Sequence, residues 1–405
     1  MNLSKIPILV IDDFQNMRGT LRQMLLSIGA ADIDLAANAE EALAKLRARR
    51  YGIVLCDYNL GRGMDGQQLL DAAREARLVG PATAFLMITA ETSSEMVMGA
   101  LERAPDAYLT KPLSKDLLRA RLQRVWQRKE PLARVDEAVR RNQPAQALAI
   151  LDEEIATAPG HLFELLRLKA ELALSSGDPA AAAAAAEQAQ ALRPSAWGLT
   201  LLGLTARRRQ AIAEAESRFR EAIALTPAYM KAHDCLAELL EADGRPHEAF
   251  EVAEAAVKLS SKSLTRQLTL ARLAEATGRW AVAERAWQRV IAIAEQSGQR
   301  QPVYYVSLAA ALAALAARGA GQQALNVMKE IRHEFRNHPE GEWWMMVARL
   351  YAMSALDTDP SLREQTLAAL DTLRAGRTPP ASVLPWLRKA LDLLGAGARA
   401  EALPR

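Results

Sequence analysis

ILVIDDFQNMRGTLRQML, residues 8–25, decides the fold of the N-terminal third of this 405-residue chain. Four apolar residues without a polar break read as a strand buried on both faces. The Asp12-Asp13 pair then stops the strand, and a helical pattern follows over 16–28. The same alternation recurs four times. Apolar runs at Ile33–Ala36, Ile53–Cys56, Ala84–Ile88 and Ala107–Leu109 follow the first run, Ile6–Ile11, and amphipathic segments near 39–49, 66–77, 94–103 and 114–128 separate or follow them. Parallel strands need long crossovers, and those crossovers are right-handed, so five such units predict a parallel sheet covered by helices on both faces. In open sheets of this kind the chemistry collects beyond the carboxyl ends of the strands.

Those ends carry Asp12 and Asp13, then Asp57, then Thr89 and Ala90, then Lys111 and Pro112. Three carboxylates on one rim repel each other unless a cation compensates, and a hard divalent ion with oxygen ligands, Mg²⁺, is the expected one. Together with Lys111 it places positive charge on both sides of a volume suited to a phosphoryl group. Asp57 is the expected nucleophile, forming an acyl phosphate. Thr89 can donate its hydroxyl to a phosphoryl oxygen, and Ala90 leaves the approach open. An acidic residue at a strand end is most often only a turn or cap residue, so the weight lies in five such items in order.

With these residues in place, the segment 5–127 resembles the receiver domain of bacterial two-component response regulators, and its opening stretch is similar to chemotaxis-type receivers. The resemblance implies a flavodoxin-like (βα)5 domain with sheet order 2-1-3-4-5. It makes Asp57 the phosphoacceptor, and Asp13, Asp57 and the Asn59 carbonyl direct Mg²⁺ ligands, with Asp12 binding through water. It makes Thr89 the switch hydroxyl, Lys111 the ion-pair partner of the phosphoryl group, and Tyr108, in the Tyr-x-x-Lys-Pro context, the aromatic whose rotamer reports the state. It also implies a cis Lys111–Pro112 bond. One departure is the glycine-rich run Leu60–Gly66 where the family often has a proline. Cys56, one residue before Asp57, points to the opposite face and reads as a core thiol.

Beyond Trp126 the pattern is helical and alanine-rich, and it repeats. Ala147 with Pro159, Ala182 with Pro194 and Ala215 with Pro227 are spaced by 35 and 33 residues, and Gly244–Ala249, Gly278–Ala283 and Gly319–Ala324 continue at 34, 34 and 41. A helix, a turn and a second helix every ~34 residues resembles tetratricopeptide repeats. The small residue lets paired helices approach. Leu151, Phe219, Trp287 and Met328, four positions later, fill the space between hairpins, which Ala186 and Ala253 leave thin. The expected division is a receiver over 1–127, an α-helical solenoid of about six repeats over 128–339, and capping helices with a frayed tail over 340–405. The long last interval predicts a longer helix around Gln301–Ala317.

Charge excludes several functions. Fifty-one basic against 48 acidic residues leave a formal +3, split evenly: 16 and 15 up to position 127, 35 and 33 beyond. No one-signed field argues for nucleic acid or an anionic membrane. Two cysteines exclude a disulfide scaffold and fit a cytoplasmic protein. No apolar stretch reaches the ~18 residues of a membrane span. The helical region shows no acid, base or nucleophile cluster, so no enzymatic activity is expected beyond the receiver's own phosphorylation and dephosphorylation. The expected partners are a sensor histidine kinase or phosphotransfer protein, a protein target of the solenoid, and a second receiver in a homodimer. The alternative is a transcriptional or post-transcriptional regulator whose solenoid contacts RNA polymerase, a regulatory factor or RNA.

Overall fold

The computed structural model describes residues 2–61, 63–90, 105–157, 161–315, 319–356 and 360–404. Arg62, Glu91, Pro159 and the helix expected over 94–103 lie outside the described residues. By its internal packing the chain forms two compact units, Met1–Ala242 and Asp243–Arg405.

The first unit opens with strands β1 (Ile8–Ile11), β2 (Ile33–Ala36), β3 (Ile53–Asp57), β4 (Ala84–Thr89) and β5 (Ala107–Thr110). They form one parallel sheet in the order β2-β1-β3-β4-β5. The first strand begins two residues later than its apolar run, because Pro7 has no N–H to give the ladder. Its carbonyl instead accepts from the Gly52 and Ile53 amides. Helices α1 (Gln15–Ser27), α2 (Ala39–Ala48), α3 (Gly66–Glu75) and α4 (Lys115–Lys129) cover the sheet. Alternation along each strand builds two cores. Ile8, Val10, Ile53 and Leu55 pack with Leu21, Leu25, Leu118 and Leu122, while Leu9, Ile11, Val54 and Cys56 pack with Ala42, Leu46, Leu69 and Leu70. Cys56 is thus a core thiol, and burial pushes its pKa well up.

A single 3₁₀ turn, Glu130–Leu132, separates α4 from seven further helices of the same unit: α5 (Ala133–Arg140), α6 (Pro144–Thr157), α7 (Leu162–Ser175), α8 (Pro179–Leu192), α9 (Ala196–Arg208), α10 (Ile212–Leu225) and α11 (Met230–Ala242). Asp178 caps α8, its carboxylate accepting from the Ala181 amide at 2.9 Å ahead of Pro179. Ala147, Ala182 and Ala215 are fully buried, which lets neighbouring backbones approach. The Phe219 ring fills the space above Gly203, where any Cβ would collide with it. The turn closing the α9–α10 hairpin has no glycine, and Gln210 itself takes the left-handed conformation at φ 62°.

The second unit holds α12 (Pro246–Leu259), α13 (Leu264–Ala276), α14 (Trp280–Ser297), α15 (Pro302–Leu315), α16 (Ala320–Glu334), α17 (Gly341–Ala355), α18 (Pro360–Gly376), α19 (Leu384–Leu393) and α20 (Gly397–Glu401). Ala249, Ala283 and Ala324 are fully buried here too. The helix expected around Gln301–Ala317 is described over Pro302–Leu315, and residues 316–318 lie outside the described residues. The preceding helix, α14, runs to 18 residues, its apolar face continuing through Val290, Ile291 and Ala294 until Gly298 turns left-handed. One expectation needs correction: the tail is not frayed. Ala400 and Leu403 are buried, and Arg399 bridges to Asp371 at 2.9 Å. No helix among the described residues is long and apolar enough to cross a membrane.

Candidate functional site

Because all five strands run the same way, their carboxyl ends share one rim, and the expected residues meet there. Asp12 follows β1, Asp57 closes β3, Thr89 closes β4, and Lys111 follows β5. Ligand oxygens of Asp12, Asp13 and Asp57 lie within 4.8 Å of one another. Lys111 Nζ donates to Asp57 Oδ2 at 2.8 Å and to Asp12 Oδ2 at 3.2 Å. Burial raises the Asp57 carboxyl above its ordinary range, and the Lys111 hydrogen bond and charge only partly oppose it. For Lys111, burial favours the neutral amine, but the hydrogen bond to Asp57 and the charges of Asp57 and Asp12 together outweigh it and raise its pKa.

The turn after β1 is held from both sides. Asp12 Oδ1 accepts from the Phe14 amide at 2.8 Å. Arg18, one turn into α1, donates to the Asp12 and Asp13 carbonyls at 2.6 and 3.1 Å. Sequence reasoning missed Arg18, although a cation one turn beyond an acidic pair was the available signal. It also missed Phe14, which is 66% exposed beside the acid cluster. Gly61, at φ 75°, brings the loop after Asn59 against Asp13, where a Cβ would stand 3.3 Å from Asp13 Oδ2. The Asn59 side chain turns to that loop, accepting from the Gly61 amide at 3.2 Å.

Thr89 is buried, and its carbonyl accepts from the Lys111 amide at 2.7 Å. The Lys111–Pro112 peptide is cis. Tyr108 lies on β5 opposite Met87, with its ring against the core beneath α2 and α3. Its hydroxyl is buried and makes no hydrogen bond among the described residues, and burial pushes its pKa up to about 12.

The acid cluster fits a divalent ion on its own geometry. Asp13 Oδ1 is buried and has no hydrogen-bond partner among the described residues, although Phe14, Arg18 and Lys111 satisfy the oxygens around it. An orphaned carboxylate oxygen facing two further carboxylates is a donor set for a hard cation.

A parallel β2-β1-β3-β4-β5 sheet with this rim defines a flavodoxin-like α/β domain with an acid cluster at its strand ends. Residues 8–123 match the response regulator receiver domain family. The chemotaxis protein CheY of Pseudomonas aeruginosa is 29% identical over 122 residues, 30% of this chain and 96% of that protein. The transcriptional regulatory protein ZraR of Salmonella typhimurium is 36% identical over 120 residues, but these span only 26% of its length. Among solved structures, the chemotaxis response regulator CheY4 of Vibrio cholerae is 30% identical, covering 30% of this chain and 98% of that one, with a TM-score of 0.28. The N-terminal domain is therefore a CheY-like response regulator receiver domain of the two-component type. Receiver domains bind Mg²⁺ through such an acid cluster, supplied here by Asp12, Asp13 and Asp57. The α-helical remainder of the chain is consistent with an output domain.

Proposed function

We propose that this protein is a response regulator phosphorylated on Asp57 and signalling through protein-protein contacts of tetratricopeptide-type hairpins. The observation that carries the first half is the Asp57 carboxylate at the end of β3, with Lys111 Nζ at 2.8 Å and two further carboxylates beside it. One Asp57 oxygen attacks phosphorus of the donor, the bond to the donor's leaving group breaks, and an acyl phosphate remains. Asp12, Asp13 and Asp57 would hold Mg²⁺, which would offset charge on the phosphoryl oxygens when bound. Lys111 Nζ, 2.8 Å from Asp57 Oδ2, is placed to pair with a phosphoryl oxygen once Asp57 is phosphorylated. Thr89 Oγ1, at the adjacent strand end, donates to another. Asn59 and Glu91, two residues beyond Asp57 and Thr89, are the proposed neighbours of the hydrolytic water.

The second half is supported by the fully buried alanines at the repeat positions, Ala147, Ala182, Ala215, Ala249, Ala283 and Ala324. Repeated hairpins of this kind offer extended surfaces for a peptide or helix. The donor is a sensor histidine kinase or phosphotransfer protein, and no catalysis is assigned beyond Asp57's own phosphorylation and hydrolysis. Radiolabelled acetyl phosphate with Mg²⁺ should label the protein stoichiometrically, and Asp57→Asn should remove the label. Retained labelling in that variant defeats the assignment. Affinity capture with the beryllofluoride-treated and untreated full chain tests the output, and recovery of RNA or RNA polymerase instead of a dedicated protein partner would favour a transcriptional role.

A further inference from the structure

Lys111 compensates two of the three carboxylates at the rim and leaves the third to another device. Its Nζ reaches Asp57 and Asp12, whereas Asp13 Oδ1 is buried without a partner among the described residues. Until a cation arrives, an oxygen so placed gains no bond by staying there, and repulsion from Asp12 and Asp57 favours its swinging away. Asp13 nonetheless keeps its place, the ligand oxygens of the three carboxylates lying within 4.8 Å of one another. What holds it is the main chain on both sides of its Cα.

Arg18 supplies that hold. Its Nη1 donates to the Asp12 carbonyl at 2.6 Å and to the Asp13 carbonyl at 3.1 Å, while its own amide closes the first turn of α1 on the Phe14 carbonyl at 3.1 Å. The first two carbonyls belong to the planar peptide groups that flank the Asp13 Cα. One guanidinium nitrogen therefore fixes both planes, and with them the direction of the Asp13 Cα–Cβ bond. The second of these peptides is pinned at its other end too, because the Phe14 amide donates to Asp12 Oδ1 at 2.8 Å. Gly61 closes the opposite side, where a Cβ would stand 3.3 Å from Asp13 Oδ2. Arg18 lies where a helix welcomes a cation least, in a first turn that holds no acidic residue. It pairs with no carboxylate among the described residues, so its bonds to the two carbonyls are its principal contacts. Arg22, one turn further along the same open groove of α1, is exposed and makes no such bond.

We propose that Arg18 is a positioning residue for the divalent cation: by fixing the two peptide planes around Asp13, it keeps the Asp13 carboxylate in the acid cluster before the ion arrives. This deepens the Mg²⁺-dependent phosphoacceptor reading of that cluster and rests on it. The cation then meets a formed donor set and does not have to order it. The sign of the effect separates this role from simple electrostatics. The charge of Arg18 opposes a second cation nearby, so if charge were its whole effect, removing it would tighten Mg²⁺ binding. Loss of positioning loosens it.

Calorimetric titration of Mg²⁺ into the full chain decides between the two. Arg18→Met should weaken binding on the order of tenfold, and Arg18→Gln, too short to span both carbonyls, should weaken it as well. Arg18→Lys should recover most of the affinity, since a single nitrogen makes both bonds in the wild type. Arg22→Met, which removes the same charge one turn away, should not weaken it. In acetyl-phosphate labelling, the Mg²⁺ concentration for half-maximal rate should rise in Arg18→Met by the same factor, and excess Mg²⁺ should restore the rate. Unchanged or tighter Mg²⁺ binding in whichever of Arg18→Met and Arg18→Gln keeps a cooperative thermal transition overturns the proposal. So does a labelling defect that excess Mg²⁺ does not repair, an Arg18→Lys protein as weak as Arg18→Met, or an equal loss in Arg22→Met. Failure of both loss variants to fold would assign Arg18 to the fold itself and overturn it too. A wild type that binds Mg²⁺ yet takes no label at Asp57 defeats the phosphoacceptor reading alone, while the titrations still decide the role of Arg18.

Discussion

At the carboxyl rim of the sheet, three carboxylates crowd within 4.8 Å around one lysine, and Asp12 is fully buried. On the hairpins, many charges pair one turn apart, as Glu216 does with Arg220 at 2.7 Å. The fully buried positions there include alanines, leucines and large rings. The rim therefore holds charge where it costs stability, and these surface pairs hold it where it is nearly neutral. The difference teaches where chemistry is kept: a group buried against its own electrostatic interest needs a role, whereas a solvated ion pair needs none.

The sharpest way to break this comparison is Asp57→Asn, which should lose all acetyl-phosphate labelling while its thermal midpoint stays equal to or above the wild type's. A variant that unfolds would mean that the rim is structural. In the hairpins the expectation reverses. Phe219→Ala should cost about 3–5 kcal/mol in urea unfolding, because the ring is fully buried over Gly203, and it should leave the initial rate of Asp57 labelling unchanged.

Asp13→Asn sharpens the metal side. Removing one of three repelling carboxylates should raise the melting temperature without Mg²⁺ and abolish the further rise that Mg²⁺ gives the wild type. Equal Mg²⁺ stabilisation of both proteins would exclude Asp13 as a ligand. Gln210→Gly should stabilise by up to about 1 kcal/mol, since an exposed non-glycine residue at φ 62° carries left-handed strain that glycine lacks. A loss of stability would show that the Gln210 side chain contributes more than the strain costs.

The smallest effect belongs to Asp136. Burial is the largest influence on its carboxyl and raises its pKa, so the folded chain binds this proton more tightly than the unfolded chain. That contribution is complete below the ordinary carboxylate range and is lost as pH rises through the raised value. Compared at about pH 4 and about pH 7, Asp136→Asn should therefore gain on the wild type at the higher pH. A gap between the two proteins that is constant with pH would contradict the burial.

Much of the receiver was legible because its physics is local or periodic. Runs of four to six apolar residues mark strands buried on both faces, and parallel topology forces their carboxyl ends onto one rim, so Asp12, Asp13, Asp57, Thr89 and Lys111 could be brought together from spacing alone. The 34-residue period made the buried alanines legible in the same way. Arg18 was not, because a cation on an amphipathic helix looks solvated until the turn it clamps is seen. Gln210 stayed hidden because its backbone conformation is imposed by the hairpin and leaves no glycine to read.

By itself the sequence determined the strand and helix periods, the order of the site residues along the chain and the near-neutral charge balance, since each depends only on spacing or composition. Only the tertiary structure decided that α14 runs on to 18 residues and that the tail folds back on Asp371. It alone placed Asp136 over Gly80 and Trp197 against Glu171. Those pairings join residues 56 and 26 positions apart, and no periodicity or local propensity encodes which surface a helix meets once the chain has turned back on itself.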